Sequence, residues 1–548
     1  MPKQKPTSVR ANSKFIFVVG GVMSSVGKGV AAASMGKILQ SKGYRVANIK
    51  CDMYVNVDAG TIRPAEHGEV FVGEDGIEAD QDLGNYERFT DEVCTGDNYI
   101  TTGQVYQEVI RRERNLEYNG EDVEVVPDIP NEIIRRIKLC QKKNESEMTI
   151  IELGGTVGEY QVLLFLEAAR IMKMKEPDNV FFVLVSYLPT PGLLGEQKSK
   201  PTQYAIRTLN SAGINPDLIL CRADKPVADN IKKTISTVCS LPLERIISAP
   251  DVYSIYDIPV NFEAENFSSI VLKLMGLKAR RQDMRDWAAL AKKIRQINKE
   301  VTIGIVGKYF NFKSCHDTYI SVIESINHAA WQQNLKPKII WLEAERYEKD
   351  KRKLQELKKL GGIIVPGGFG GRGVAGMILV ADYARRHNIP YLGLCLGMQI
   401  LTISFARYVL KMADANSTEF NPRTKHPVIA TMEEQKKNIA AKNYGGTMRL
   451  GAYPAKLAKN SLSYRSYKQT DISERHRHRY EFNNEYRSQL ETAGLRIAGV
   501  NTARNLVEIV EVAGHPFMVG VQFHPEFKSR PLAPHPLFKE FIRVCAKK

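Results

Sequence analysis

The chain has no CxxC pair and no Cys/His spacing suited to zinc, and its eight cysteines are scattered through 548 residues. That excludes a zinc module and a disulfide framework, and leaves thiols of the kind kept reduced and buried inside a cell. Long apolar runs are also missing, since none approaches the ~20 residues that span a bilayer as a helix. The start, Met1-Pro-Lys-Gln-Lys-Pro, lacks the apolar segment of a secretory signal. A soluble, cytoplasmic protein without a membrane partner is therefore expected. No internal repeat, long low-complexity tract or RNP-like aromatic motif occurs. What is in excess is positive charge, with 77 Lys and Arg against 61 Asp and Glu and a net charge of +16. Nucleic acid, an anionic membrane and phosphorylated small molecules would each answer that charge, and charge alone does not choose. The length, with 43% apolar and 25% charged residues, fits three or four globular units.

Short apolar runs alternate with amphipathic helical stretches. Phe15–Val19, Tyr44–Ile49, Thr149–Leu153, Val180–Val185 and Leu218–Cys221 read as buried strands of a parallel α/β sheet. Near Gly276 the pattern stops, and a charge-rich stretch of helical spacing runs from Lys278 to Lys299. A second α/β series begins at Val301-Thr-Ile-Gly-Ile-Val-Gly, with strands expected at Lys338–Leu342, Gly362–Val365 and Pro390–Leu394. A more β-like region follows, holding Leu506–Val512 and Phe517–Phe523. The division expected is a first domain over 1–278, a helical linker over 279–300 and a second domain over 301–548.

Between the first strand and the alanine-rich helix from Val30 lies Gly20-Gly-Val-Met-Ser-Ser-Val-Gly-Lys-Gly29. It resembles a phosphate loop whose spacing departs from G-x-x-x-x-G-K-[ST], with Gly29 where a metal-binding hydroxyl belongs. Backbone N–H groups at a helix start, with Lys28 beside them, attract phosphate, although a plain glycine turn would read similarly. If nucleotide binds here, magnesium needs oxygen ligands from elsewhere. Glu152, at the end of the run Thr149-Ile-Ile-Glu, and Asp82, in Glu78-Ala-Asp-Gln-Asp-Leu-Gly, are the candidates. The segment Lys198-Ser-Lys-Pro-Thr-Gln203 offers two lysines and two hydroxyls at a proline-fixed turn. It suits a second polyphosphate or is a solvated basic loop.

In the second half, Gly393-Leu-Cys395-Leu-Gly-Met-Gln follows Ile389-Pro-Tyr-Leu and reads as a strand turning abruptly into a helix, exposing its middle side chain. A thiol at a helix N-terminus is favoured as thiolate, which makes Cys395 a candidate nucleophile. Downstream, Gln522-Phe-His524-Pro-Glu526 supplies a base and an orienting carboxylate for acyl transfer. The glycines of Val365-Pro-Gly-Gly-Phe-Gly370 offer N–H groups for an oxyanion.

These motifs together resemble the CTP synthase family nearly end to end. The resemblance also rests on Lys50-Cys-Asp-Met-Tyr-Val-Asn-Val-Asp, His67-Gly-Glu-Val-Phe-Val, Asp82-Leu-Gly-Asn-Tyr-Glu-Arg-Phe and Glu152-Leu-Gly-Gly-Thr-Val-Gly. In the second half it rests on Asn416-Ser-Thr-Glu-Phe, Gly446-Thr-Met-Arg-Leu-Gly and Glu474-Arg-His-Arg-His-Arg-Tyr-Glu. It implies an α/β architecture, with an N-terminal phosphate-loop-like parallel-sheet amidoligase domain and a C-terminal class I glutamine amidotransferase domain. The implied reaction is ATP-dependent amination of UTP to CTP through a 4-phosphorylated UTP, using ammonia from glutamine, in pyrimidine biosynthesis. Magnesium accompanies ATP, and no organic prosthetic group is implied.

By the resemblance, Ser25, Val26, Gly27, Lys28, Gly29, Val30, Asp82, Arg222 and Val252 contact ATP, and Asp82 and Glu152 hold magnesium. Ser24, Glu159, Tyr160, Gln161, Lys198, Ser199, Lys200, Pro201, Thr202, Gln203 and Thr234 fall at UTP or CTP positions. Lys50, Asp52 and His67 line up between the nucleotides and the ammonia entrance. Cys395, His524 and Glu526 form the triad, while Gly368, Leu396, Gly397, Met398, Gln399, Glu419 and Arg479 bind glutamine. Arg449 falls where GTP activation is coupled to glutamine hydrolysis. CTP is the implied feedback inhibitor, and a homotetramer, with filaments in some members, is the implied assembly.

Three positions depart from the family pattern. Glu159-Tyr160-Gln161 stands where Asp-Ile-Glu is usual, Thr234 where a lysine is usual with Lys233 adjacent, and Asp128 where a histidine is common. A basic ATPase that binds nucleic acid would explain the charge but leaves the second domain without a purpose. An ATP-dependent amidotransferase with another acceptor is the nearer alternative.

Overall fold

The computed structural model describes residues 13–192, 195–308, 315–432, 435 and 445–547, so the Met1 start lies outside the described residues. Two compact units emerge. The first comprises the described residues of Met1–Asp58 and Asp82–Arg295, and the second those of Ala59–Gln81 and Gln296–Lys548.

The first unit is built on seven strands in the order Tyr99–Thr101, Val46–Asp52, Met148–Leu153, Lys14–Gly20, Val180–Tyr187, Leu218–Ala223 and Ile246–Pro250. Every neighbouring pair is parallel. The central strands are continuous runs of Phe, Ile and Val because helices cover both faces, as a parallel sheet requires. Five of the seven strands were legible as apolar runs. Tyr99–Thr101 and Ile246–Pro250 were not, one having only three residues and the other being broken by Ser248.

The second unit has nine strands, ordered Lys336–Glu343, Glu300–Gly307, Gly362–Val365, Tyr391–Leu394, Met518–Val521, Leu506–Val512, Leu495–Asn501, Arg449–Leu457 and Asp471–His478. The first five run parallel and the rest antiparallel. This matches the expected change to a β-like region. A strand pair, Val70–Val72 with Glu78–Asp80, also belongs to this unit.

The division differs from the expected one at two places. Residues 59–81 pack with the second unit, where Arg475 grips Glu74 at 3.0 Å and Arg477 grips Glu78 at 2.7 Å. The stretch expected as a linker contains the helix Arg285–Gln296, nearly all of which belongs to the first unit. Its Trp287 is 2% exposed, lies against Phe89 and Tyr256, and donates from Nε1 to the Tyr256 carbonyl at 3.0 Å. Anchoring of this size is worth about 3–5 kcal/mol, so the helix is part of the core. Among the described residues, no helix is long and apolar enough to cross a membrane.

Candidate active sites

In the first unit, the loop after Lys14–Gly20 leads into the helix Lys28–Ser41. Its backbone takes left-handed φ at Val22 (78°), Ser25 (56°) and Gly27 (92°), the geometry from which anion-binding nests are made. Lys28 is buried and donates to the Gly155 carbonyl at 2.7 Å. Burial lowers its pKa, against the opposing pull of Glu152.

Glu152 ends the strand beside Lys14–Gly20 and pairs in register with both Val18 and Lys50. Parallel register sets Lys50 next to Glu152, whose Oε1 accepts from the Lys50 ammonium at 3.1 Å. The same ammonium donates to Asp82 at the start of the helix Asp82–Thr90, and the Tyr86 hydroxyl donates to Glu152. Burial raises the Glu152 pKa and the Asp82 charge raises it further, while Lys50 opposes both. Two carboxylates thus converge on one cation, an oxygen donor set that fits magnesium.

The departure at Gly29 makes room for a distant side chain. A Cβ there would meet the Asp82 carboxylate, so a serine or threonine would displace Asp82 from its place beside the loop. Nothing in the sequence local to Asp82 ties it to the loop, whereas Glu152 lies near the end of the strand paired with Lys14–Gly20.

Gly27, Val30, Arg222 and Val252 line a cavity of about 360 Å³ with Pro250 and Phe262, so four of the positions implied for ATP come together. Arg222 is paired with Asp251 at 2.8 Å. The positions implied for UTP are less uniform. The expected turn at Pro201 is the start of the helix Lys200–Ser211, where a proline sacrifices no hydrogen bond. Thr202 is fully buried, bonded to Ser186 at 2.8 Å, and Lys198 pairs with Glu196 at 2.6 Å. Gln203 donates to Ser199 at 3.0 Å, and the Thr234 hydroxyl donates to the Asn230 carbonyl at 2.9 Å. Glu159 accepts from the Thr156 hydroxyl at 2.6 Å and from Gln161 at 3.2 Å, hydrogen bonds that lower its pKa, while Tyr160 is 93% exposed. Asp52 accepts from the hydroxyls of Tyr54 and Tyr99, each at 3.1 Å.

In the second unit, Cys395 sits between the strand Tyr391–Leu394 and the helix Leu396–Tyr408 with φ 49° and ψ −99°. Such backbone costs about 1–3 kcal/mol and is kept where a side chain must be aimed. The helix lies so close that a Cβ on Gly397 would collide with the Val365 carbonyl, which accounts for the glycine. The thiol is buried, at 3% exposure, rather than displayed as the turn suggested, and it lines a cavity of about 550 Å³.

His524 shares that cavity because it lies just beyond the strand Met518–Val521, the parallel neighbour of Tyr391–Leu394. Its Nδ1 lies 2.7 Å from Glu526 Oε1, and its buried Nε2 has no hydrogen-bond partner among the described residues. Burial alone would favour neutral imidazole. The Glu526 carboxylate and the Cys395 sulfur outweigh it and push His524 up to about 10, so its charge is lost only as pH rises through that value.

Gly367, Gly368, Phe369 and Arg479 also line the cavity, as do Gly60, Thr61, Arg63 and Glu69 of the 59–81 segment. That segment's part was not foreseen. The loop at 366–370 is braced by Lys308, which donates to the carbonyls of Phe369 (3.2 Å) and Gly370, and by Glu419, which accepts from Gly370 N–H at 2.7 Å. Burial pulls Lys308 down to about 8, against the Glu419 charge. Of the positions implied for glutamine, Gly368 and Arg479 line the cavity. The described wall does not include Leu396, Gly397, Met398, Gln399 or Glu419. Arg479 donates to Gln435 at 2.7 Å and to Thr447 at 2.9 Å. Arg449 is wholly buried, clamped by Glu481 at 3.0 Å and Glu508 at 2.6 Å.

Residues 14–277 match the family described as CTP synthase N-terminus, and residues 314–544 match glutamine amidotransferase class-I. The CTP synthase of Chloroflexus aurantiacus is 47% identical over 536 residues, covering 98% of this chain and 97% of its own. That of Clostridium kluyveri is 46% identical over 535 residues, covering 97% and 98%. A solved Trypanosoma brucei CTPS glutaminase domain with bound acivicin is 38% identical over 45% of this chain and 94% of its own, with a TM-score of 0.42. A glycine loop opening a helix beside Lys50, Asp82 and Glu152, and a cavity holding Cys395 with His524 and Glu526, thus lie on one chain with relatives matched along nearly their whole length, and the chain belongs to the CTP synthase family, which converts UTP to CTP with glutamine as the nitrogen source.

Proposed function

We propose that the two sites divide the reaction as the family resemblance implies, with residues 1–278 carrying synthase chemistry, 279–300 the linker and 301–548 the glutaminase, amended in that the second unit holds 59–81 and the first unit holds nearly all of the linker's helix. The observation that carries this is the convergence of Asp82, Lys50 and Glu152 beside the phosphate loop. Ser25, Val26, Gly27, Lys28, Gly29 and Val30 wrap the ATP phosphates, and Arg222 and Val252 border the adjoining cavity. Asp82 and Glu152 would hold magnesium. When bound, it supplies positive charge against the triphosphate oxygens. Lys28 adds a fixed ammonium to the phosphoryl group leaving ATP. The uracil O4 takes that phosphoryl group, ADP departs, and ammonia then displaces phosphate at C4 to give CTP. Phosphate leaves readily where a carbonyl oxygen does not.

In the second unit the Cys395 sulfur attacks the glutamine amide carbon, and the oxyanion meets N–H groups around Gly368. His524 delivers a proton to the departing nitrogen, and Glu526 Oε1 holds its Nδ1. Water then releases glutamate from the thioester. Arg479, in the cavity wall, grips the substrate carboxylate through paired hydrogen bonds. Incubation with UTP, ATP, magnesium and glutamine tests the reading. CTP, ADP, phosphate and glutamate should form in equal amounts, and glutaminase activity without CTP would overturn the acceptor.

GTP activation, CTP feedback, a homotetramer and filaments belong to this proposal too. For the assembly, its support is the exposure of Tyr160 and Tyr204. For feedback, Gln161 offers ribose a neutral acceptor where the family has a carboxylate, a weakening of about 1 kcal/mol or roughly fivefold. The triple change Glu159→Asp, Tyr160→Ile, Gln161→Glu should lower the CTP inhibition constant by that factor, with the UTP requirement nearly unchanged. An unchanged or higher constant removes the segment from feedback.

A further inference from the structure

The sheet register that brings His524 into the Cys395 cavity also brings a second side chain to the sulfur. Leu394 pairs with Val521, and the Cys395 N–H donates to the Val521 carbonyl at 2.7 Å, so the next rung sets Cys395 beside Gln522. Gln522 is fully buried, and its Nε2 lies 3.7 Å from Cys395 Sγ, a normal N–H to sulfur separation. Its orientation is set by its neighbours. The Tyr480 carbonyl can only accept, so Gln399 turns its Nε2 to it at 3.1 Å. That same nitrogen donates to Gln522 Oε1 at 3.4 Å. With its oxygen thus engaged, Gln522 points its NH₂ group at the sulfur.

A buried amide is costly unless both ends find partners, and an amide N–H gains more from an anionic acceptor than from a neutral one. The thiol contributes little to that N–H, whereas the thiolate completes the chain from the Tyr480 carbonyl through Gln399 and Gln522. The hydrogen-bond count therefore favours the ionised nucleophile from the side opposite to charge alone. Of the other groups at the sulfur, His524 is the titratable one, and the Arg477 carbonyl, 3.8 Å away, is an acceptor that takes the thiol proton only while one is present.

We propose that Gln522 is a further catalytic residue of the glutaminase, its side-chain amide donating to the Cys395 sulfur and stabilising the thiolate, with Gln399 as the positioning residue that orients it. The proposal rests on Cys395 being the nucleophile. It also gives Gln399 a role through the amide chain.

Gln522→Met keeps the length and removes the donor, and Gln522→Glu keeps the shape and sets a carboxylate against the sulfur. The probe is iodoacetamide, with the pH dependence of Cys395 alkylation followed by mass spectrometry in the full-length protein. A lost hydrogen bond to a charged group should slow alkylation at neutral pH about tenfold and move the midpoint of the profile upward by about one unit. Gln522→Glu should react more slowly than Gln522→Met at alkaline pH, and glutamine turnover should fall through kcat more than KM in both. Gln399→Met should reproduce the profile change without altering the residue at the sulfur. A wild-type-like cooperative melting transition reports that each variant is folded, and ammonia-dependent CTP formation, whose chemistry belongs to the other unit, reports that the first unit is undisturbed. Wild-type alkylation profiles in all folded variants overturn the role of Gln522. Continued glutamine use by Cys395→Ala would instead overturn the nucleophile itself, so the two failures are separable. If Gln522→Met does not fold, the profiles of Gln522→Glu and Gln399→Met decide.

Discussion

Cys395→Ala abolishes glutamine-dependent CTP formation, by about 10³-fold or more, and leaves ammonia-dependent formation largely intact. The asymmetry follows from the separation of the chemistry. The thiol is the group whose sulfur must bond to the amide carbon, and no other described side chain in the cavity wall is a thiol. His524 then has no sulfur to serve. The phosphate loop, Lys50, Asp82 and Glu152 belong to the other unit and keep their geometry. Side-by-side CTP assays with glutamine and with ammonium salt at alkaline pH measure both numbers. Retained glutamine use refutes Cys395 as nucleophile, and loss of both activities refutes the division of labour.

Glu152→Gln removes synthesis from either nitrogen source, and Asp82→Asn does the same. The loss is at least about 10²-fold, because a carboxylate facing a metal ion and polyphosphate contributes several kcal/mol to a charged transition state. A stability control separates chemistry from folding. Burial and the Asp82 charge raise the folded-state pKa of Glu152, so the stabilisation tied to its protonated form is complete below the unfolded value and is lost as pH rises through the folded one. Glu152→Gln carries no charge to ionise. Without nucleotide or metal it should melt no lower than the wild type at neutral pH, while ATP with magnesium raises its melting temperature less. Normal ammonia-dependent turnover in Glu152→Gln would overturn the metal assignment.

The sequence carried the local chemistry. A strand, a glycine loop and a helix in succession define the phosphate site around Lys28 without any distant partner, because N–H groups and the helix dipole are properties of the segment itself. Gly393-Leu-Cys-Leu-Gly and His524-Pro-Glu are legible for the same reason, one as a sharp turn and the other as two side chains 2.7 Å apart by virtue of lying two residues apart. Most strands of the parallel sheet in the first unit were readable too, since strands buried on two faces are continuous apolar runs. Tertiary structure alone decided what Gly29 makes room for, the Asp82 carboxylate from another helix. It also decided that 59–81 leaves the first unit to wall the glutaminase cavity, that Arg449 is buried between Glu481 and Glu508, and that Gln522 faces the Cys395 sulfur. Each of these is a contact between segments far apart in the chain, fixed by strand register and helix packing. Periodicity and spacing report only which face a residue occupies, whereas register determines which distant residue it meets there.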